Sequence, residues 1–323
     1  MLQHPQFTLS ILDPTSLLGS EVVAAVAQAF PAARRRFFHT AGVDEHLVVE
    51  VAGEAALVPP LVDTGELDGT DVVVATATPT PAVASALRRW LEANPGTFLI
   101  DGTQPGLAPD DSLPAFTTAP TARSDRRWFH LADPALWGPG TFLQALAALE
   151  PRELHLTVLL PVSSFGETGV EELAKQAAGR LSGRPPRKPE VLPAVLAFDL
   201  APAPPPQRDA LGKQLEALFP DLTHRLQAVE IGVFHGHASA AAVRCAAPVR
   251  PDRLAATLRG HPVIRLVRRN EQAQPTAVVG TDEVLCADLQ CAGEWVMAWL
   301  VADGLRVGGA QAIADIIAAV RAS

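Results

Sequence analysis

His235-Gly236-His237 sets two imidazoles two residues apart in a chain of 323 residues. On a strand, such a pair lies on one side, and a metal would need further ligands beside them. No spaced carboxylate or cysteine cluster supplies those ligands, so no metal site is expected. The three cysteines, Cys245, Cys286 and Cys291, all stand in the last quarter of the sequence. That is no disulfide framework, and it fits a reducing compartment. Cys286 and Cys291 are five residues apart without a partner pair, and read as core or half-exposed thiols. Cys245 alternates within an apolar strand, which places it in a core or an interface.

Charge narrows the function classes. Lys+Arg 26 against Asp+Glu 35 gives a net charge of -9. That field repels nucleic acid and anionic membrane, and no basic patch of useful size offsets it. Met1 to Ser10 lacks the basic segment and apolar stretch of a signal peptide, and no uncharged apolar run reaches the length of a membrane span. A soluble cytoplasmic protein with neither nucleic-acid nor membrane partners is the expectation.

The elements that must position these residues divide into two patterns. In the first, Phe7 to Leu12 reads as a strand that ends in a turn at Asp13-Pro14-Thr15-Ser16. Leu18, Val22, Ala25, Val26 and Ala29 then recur at helical spacing until Phe30-Pro31. Short apolar runs follow at 36–38 and 46–51, then a strand over 71–76. A helix over 81–92 opens on proline and leads through Asn94-Pro95-Gly96 to a strand over 97–101. This alternation predicts a mostly parallel, Rossmann-like sheet covered on both faces.

After about residue 131 the rhythm changes. A helix over 140–149 precedes a strand over 154–160, and a second helix fits 170–178. The proline-rich stretch 183–206 reads as loop. Apolar segments at 226–234, 240–246, 263–267, 277–280, 283–289 and 295–301 then follow without an expected long helix between them. That pattern predicts an antiparallel or mixed sheet. A final helix covers 309–320. Trp295, Val296, Met297, Trp299 and Leu300 make one strand apolar on both faces, so both faces must be covered.

The order of these pieces resembles one family, the aspartate-β-semialdehyde dehydrogenases with their Usg-type relatives. Ser10-Ile11-Leu12-Asp13-Pro14-Thr15-Ser16-Leu17-Leu18-Gly19 stands where the family has its first strand and a GATGxVG phosphate loop. Pro161-Val162-Ser163-Ser164-Phe165-Gly166 resembles the VSGAG turn, and Leu196-Ala197-Phe198-Asp199 the AFN segment. Val233 to Ala238 is similar to the PVxxGHS strand that carries the catalytic histidine. Val301 to Ala310 is similar to VADNLRKGAA. The resemblance runs through almost the whole chain. It implies an α/β chain with a Rossmann-like NAD(P)-binding-type domain over 1–131, completed by a C-terminal helix in 303–323. An α+β catalytic and dimerisation domain over 132–302 follows.

The family reaction is a reductive dephosphorylation of an acyl phosphate: a cysteine thiolate attacks, a histidine handles the proton, and NADPH delivers hydride. The resemblance puts the thiol's place at Leu136 or Trp137, and no cysteine precedes Cys245. In the phosphate loop Asp13 and Ser16 replace glycines and only Gly19 remains, leaving Thr15, Ser16 and Gly19 as a degenerate cofactor loop. A carboxylate at 4 Å from a phosphate is repelled by about 4 kcal/mol at an intermediate dielectric, on the order of a thousandfold in affinity. One family arginine, seven residues before the histidine and on the same strand, is Glu230 here; the other falls at Leu107.

His237 keeps the family position, as a structural histidine or a residual acid/base. Glu230 and Ser163 are expected to line the former substrate cleft, with no nucleophile, base and orienting group legible from spacing. The expectation is a dehydrogenase-like protein that is catalytically silent, a homodimer through its second domain that serves as a scaffold or binds an unidentified protein. No cofactor is expected, or NADP if the family function is retained. The alternative is an NAD(P)-dependent oxidoreductase or a small-ligand sensor with altered chemistry.

Overall fold

Thr8–Leu12 is β1, and four of its five residues are buried, as a central parallel strand requires. The computed structural model describes residues 7–40, 42, 45–104, 106–107, 114–115, 127–185, 187–268 and 271–322. These fall into two compact units, Met1–Ala132 with Gly308–Ser323, and Asp133–Val307.

In the first unit, α1 (Leu17–Ala29) buries Gly19, Val22, Val23 and Val26, one face at helical spacing. Then come β2 (Arg34–Phe38), β3 (Leu47–Val51), β4 (Glu54–Val58) and β5 (Val72–Ala75), and next α2 (Pro81–Ala93). Pro81 opens α2, as the sequence predicts, and Thr80 caps it. β6 (Phe98–Asp101), β7 (Pro114–Ala115) and β8 (Trp128–Leu131) complete a six-stranded sheet in the order β2-β1-β5-β6-β8-β7. Every pairing in it is parallel. The order turns back on itself at β1, whose carboxyl end is therefore where a doubly wound sheet leaves a crevice. The run at 46–51 departs from the expectation. It is β3, which pairs antiparallel with β4 in a separate hairpin instead of joining the parallel sheet.

The second unit opens with α3 (Trp137–Ala145) and β9 (Pro151–Leu160), followed by α4 (Gly166–Leu181), β10 (Leu200–Pro202) and α5 (Pro205–Leu218). β11 (Thr223–Ile231), β12 (His237–Cys245), α6 (Pro251–Arg259), β13 (Ile264–Leu266), β14 (Val284–Ala292) and β15 (Trp295–Ala302) follow. The sheet order is β10-β11-β9-β12-β15-β14-β13, with β11 parallel to β9 and both β9 and β15 antiparallel to β12. This is the mixed sheet expected, but three local readings need correction. α5 and α6 are helices that the pattern of apolar runs did not reveal. Pro205 opens α5 at the end of the stretch read as loop, and Pro251 opens α6 where no element was read, because proline without an N–H is tolerated in a first helical turn. Residues 275–277 form a single 3-10 turn, and no strand covers 277–280. α3 starts at Trp137, three residues before the predicted start.

One face of this sheet is its core side. Leu154, Leu156, Val158 and Leu160 of β9 are buried there beside Ala241 and Val243 of β12 and Val296, Ala298 and Leu300 of β15. The opposite face is covered in part by the segment around Val267 and Val278, which packs with Ala238, Leu285 and Val301. The last helix, α7 (Ala312–Ala322), buries Ile313, Ile316, Ile317 and Val320 within the first unit. Among the described residues no helix is long and apolar enough to cross a membrane.

Candidate functional site

Thr15, Ser16 and Gly19 lie in the first unit, at the carboxyl end of β1. Ser16 caps α1, its hydroxyl accepting from the Gly19 N–H at 3.0 Å, and it also meets the Thr76 hydroxyl at 3.1 Å. Thr76 in turn donates to the Leu12 and Asp13 carbonyls at 2.8 and 2.7 Å. Gly19 cannot carry a side chain, because a Cβ there would overlap the Asp13 carbonyl and the Pro14 backbone. Asp13 itself sits in the left-handed region at φ 57, and its carboxylate accepts from the Thr40 N–H at 2.7 Å and the Thr40 hydroxyl at 2.6 Å. Burial pushes the Asp13 carboxyl above its usual value, and the bonds from Thr40 pull it partly back. Ser16 is thus the helix cap, and the Asp13 carboxylate is spent on Thr40, two residues beyond β2. Thr40, the partner that makes this so, lies 27 residues away and carries no local signal.

His237, Glu230 and Ser163 lie in the second unit. Glu230 is the last residue but one of β11 and His237 begins β12, so they are not on one strand as the sequence reading has it; Gly232 to Gly236 turn the chain between them. The turn depends on Gly236, at φ 88, where a Cβ would overlap the Pro275 carbonyl. β11 and β12 both border β9. Glu230 pairs with Leu160, and the β12 register runs from Ala238 opposite Leu159. Carried one residue further, that register sets His237 on the other side of Leu160. Glu230 and His237 therefore share one sheet face, two strands or about 10 Å apart. Ser163 belongs to the 3-10 turn Val162–Phe165 after β9 and is half-buried, its N–H bonded to the Phe234 carbonyl at 3.0 Å.

The His237 ring lies against Gly304, which also borders Pro134 in the turn before α3. A Cβ on Gly304 would stand 2.8 Å from the ring and 2.5 Å from the Pro134 Cβ. Leu136 and Trp137, at the start of α3, are each 1% exposed. His237 is 9% exposed with Nδ1 unpartnered, and burial lowers its pKa to about 4, so the ring is neutral. Thr141 on α3 is fully buried and its hydroxyl finds no partner.

Glu230 is 0% exposed and neither carboxylate oxygen makes a hydrogen bond. Burial, with the like charge of Asp133, pushes its pKa up to about 7; Gln207 of α5 approaches and offsets this in part without completing a bond. Gln214, two turns further along α5, accepts from the Asp133 N–H at 2.7 Å. Gln207 and Gln214 escaped the sequence reading because α5 did. The signal was present in Pro205 at the helix start followed by Leu211 and Leu215 four apart. Among the described residues no group of three or more metal-ligating side chains gathers.

A parallel Rossmann-like sheet followed by a seven-stranded mixed sheet, with a histidine at the head of the strand facing a helix start, defines the semialdehyde dehydrogenase class. The chain belongs to that family: residues 143–307 match the semialdehyde dehydrogenase dimerisation domain. A USG-1 protein homolog of Pseudomonas aeruginosa is 32% identical over 183 residues, 51% of this chain and 53% of that protein. The match thus spans about half the length of this curated relative. Aspartate semialdehyde dehydrogenase II of Vibrio cholerae, in complex with ASA, superposes with a TM-score of 0.87 at 21% identity, covering 98% of both chains. The Candida albicans aspartate semialdehyde dehydrogenase with NADP gives 0.70 at 12% identity, over 98% of this chain and 100% of that one. At these identities the likeness is one of fold.

Proposed function

We propose that this chain is a semialdehyde dehydrogenase-like protein that has lost the family reaction and works as a homodimeric scaffold or interaction protein of the cytoplasm. The observation that carries the reading is the start of α3. The resemblance assigns the thiol to Leu136 or Trp137, and both are buried apolar side chains that follow Pro134, which borders Gly304 as the His237 ring does. Neither can attack a carbonyl, and the three thiols of the chain sit on β12 and β14. Cys286 is buried and pushed up to about 12, far from thiolate character at neutral pH.

The residues of the β1–α1 turn do not fit the pyrophosphate of NADP. Such a site needs free N–H groups at a helix start and room for the phosphates. Here the Ser16 hydroxyl takes the Gly19 N–H, and Asp13 brings a carboxyl where a glycine would leave space. Dimerisation is supported by the matched dimerisation domain and by the open sheet face of the second unit. There Phe198 and Leu200 are 68% and 63% exposed beside a depression of about 480 Å³ that reaches Trp299.

The test is titration of the purified protein with NADP and NAD, followed on the same sample by phosphate-dependent oxidation of aspartate semialdehyde. No binding at millimolar cofactor and no turnover are expected. Micromolar binding with turnover would instead establish an NAD(P)-dependent oxidoreductase. A folded protein with neither property directs attention to its second reading, a sensor of a small ligand.

A further inference from the structure

The negative charge of the chain is concentrated in one stretch. Between Arg36 and Arg88 there is no Lys or Arg, and residues 37–87 hold eight Asp or Glu. The rest of the chain has 27 acidic against 26 basic residues, so nearly the whole net charge of -9 stands here. Four of these acids have local work. Asp63 and Glu66 form the capping box of a 3-10 turn, Asp68 accepts from the Trp90 indole N–H, and Asp71 accepts from the Thr8 N–H. Glu50 on β3 and Glu54 on β4 are exposed, and among the described residues their carboxylates meet no Lys or Arg.

The hairpin that carries these two stands apart from the parallel sheet, and among the described residues no third strand borders it. Its two faces differ. Val49 and Val58 are buried on the inner one. On the outer one Val48 pairs with Leu57 and Glu50 with Ala55, and Val48 and Leu57 are 58% and 68% exposed. Two exposed apolar side chains alone would be ordinary surface. These two are directly paired, and they stand in a field of one sign that attracts a basic partner and repels an acidic one. A second copy, near neutral outside this stretch, brings no excess of basic residues to match it.

We propose that the outer face of the β3–β4 hairpin docks a basic amphipathic segment of a partner protein. Its apolar side chains cover Val48, Ala55 and Leu57, and its Lys or Arg meet Glu50 and Glu54. The inference rests on the reading of this chain as an interaction protein and gives the partner a chemistry. It uses neither the sheet of the second unit nor the family cleft, so it can fail while the homodimer and the loss of dehydrogenase activity hold, and the reverse.

The experiment follows the fluorescence anisotropy of a short labelled peptide, leucine on one helical face and lysine on the other, as the full chain is added. Two altered peptides serve as controls, one with glutamate for lysine and one with serine for leucine. Micromolar binding of the first peptide alone is expected. Val48→Ser with Leu57→Ser should weaken it about tenfold, and Glu50→Gln with Glu54→Gln as much. Glu216→Gln with Asp221→Asn, an equal change of charge at exposed positions of the second unit, should leave it unaltered. Absent binding, equal binding of a control peptide, or hairpin variants that bind no more weakly than the second-unit variant would overturn the assignment. Should the hairpin variants fail to fold by thermal melt, hydrogen exchange of the wild-type protein decides the matter. Slower exchange over 47–58 with peptide bound supports the site, and slowing elsewhere or none refutes it.

Discussion

Glu230 and Asp13 are both buried carboxylates, yet their surroundings give them opposite outcomes. Asp13 receives two short bonds from Thr40, whereas Glu230 receives none. For Glu230 the folded-state pKa, about 7, lies above its ordinary 4.5, so between those values the folded chain holds a proton that the unfolded chain has released. The slope of stability with pH is therefore negative in that window. Stability should fall as pH rises through it, by roughly 3 kcal/mol at most, since a tenfold change in proton affinity on folding is worth about 1.4 kcal/mol. Glu230→Gln abolishes this contribution, so the gap in melting temperature between variant and wild type should widen from about pH 5 to about pH 8. Thermal melts at the two pH values check it. A gap that does not change with pH would show that the carboxyl titrates normally.

At the scale of elements, α4 has a task that its own sequence does not announce. The Glu172 carboxylate accepts the backbone N–H groups of Glu190, Val191 and Leu192 at 2.9, 2.8 and 2.9 Å. Gln176, one turn on, accepts from Leu196 at 2.9 Å and from Ala197 at 3.3 Å. These bonds give the proline-rich connection to β10 a fixed path, and Val162, Leu173, Leu192 and Leu196 close a small core beneath it. Glu172→Gln keeps the size but loses the charge and one of the acceptors. Hydrogen exchange at the amides of 190–192 should speed up by an order of magnitude or more, while β9 and β12 keep their protection. Unchanged exchange at those amides would mean that packing alone holds the segment.

At the scale of the whole molecule, the proposed homodimer is tested on the open face of the second unit's sheet. Phe198 and Leu200 stand far out from it, and Leu159, Trp295, Met297 and Trp299 are half-buried. Stable homodimer interfaces are large and more apolar than ordinary surface. Light scattering coupled to gel filtration should give a dimer mass for the wild-type protein. Phe198→Arg combined with Leu200→Arg, at two exposed positions, should shift it to the monomer. A dimer that survives the double change would place the interface elsewhere.

The sequence by itself determined the parts whose causes are local. Helical spacing set α1 and α2, short apolar runs marked most strands of both sheets, and the lack of any cysteine before Cys245 was a matter of inspection. Even where the reading erred, at α5 and α6, the prolines at their starts were there to be read. Tertiary structure alone decided the rest. That Glu230 and His237 flank Leu160 follows from β9 running between β11 and β12, a strand order set by packing over some seventy residues of separation. That Asp13 turns to Thr40 follows from β2 lying beside β1. Burial of a side chain, and with it the charge it carries, depends on which distant segments cover it, and no local pattern encodes that choice.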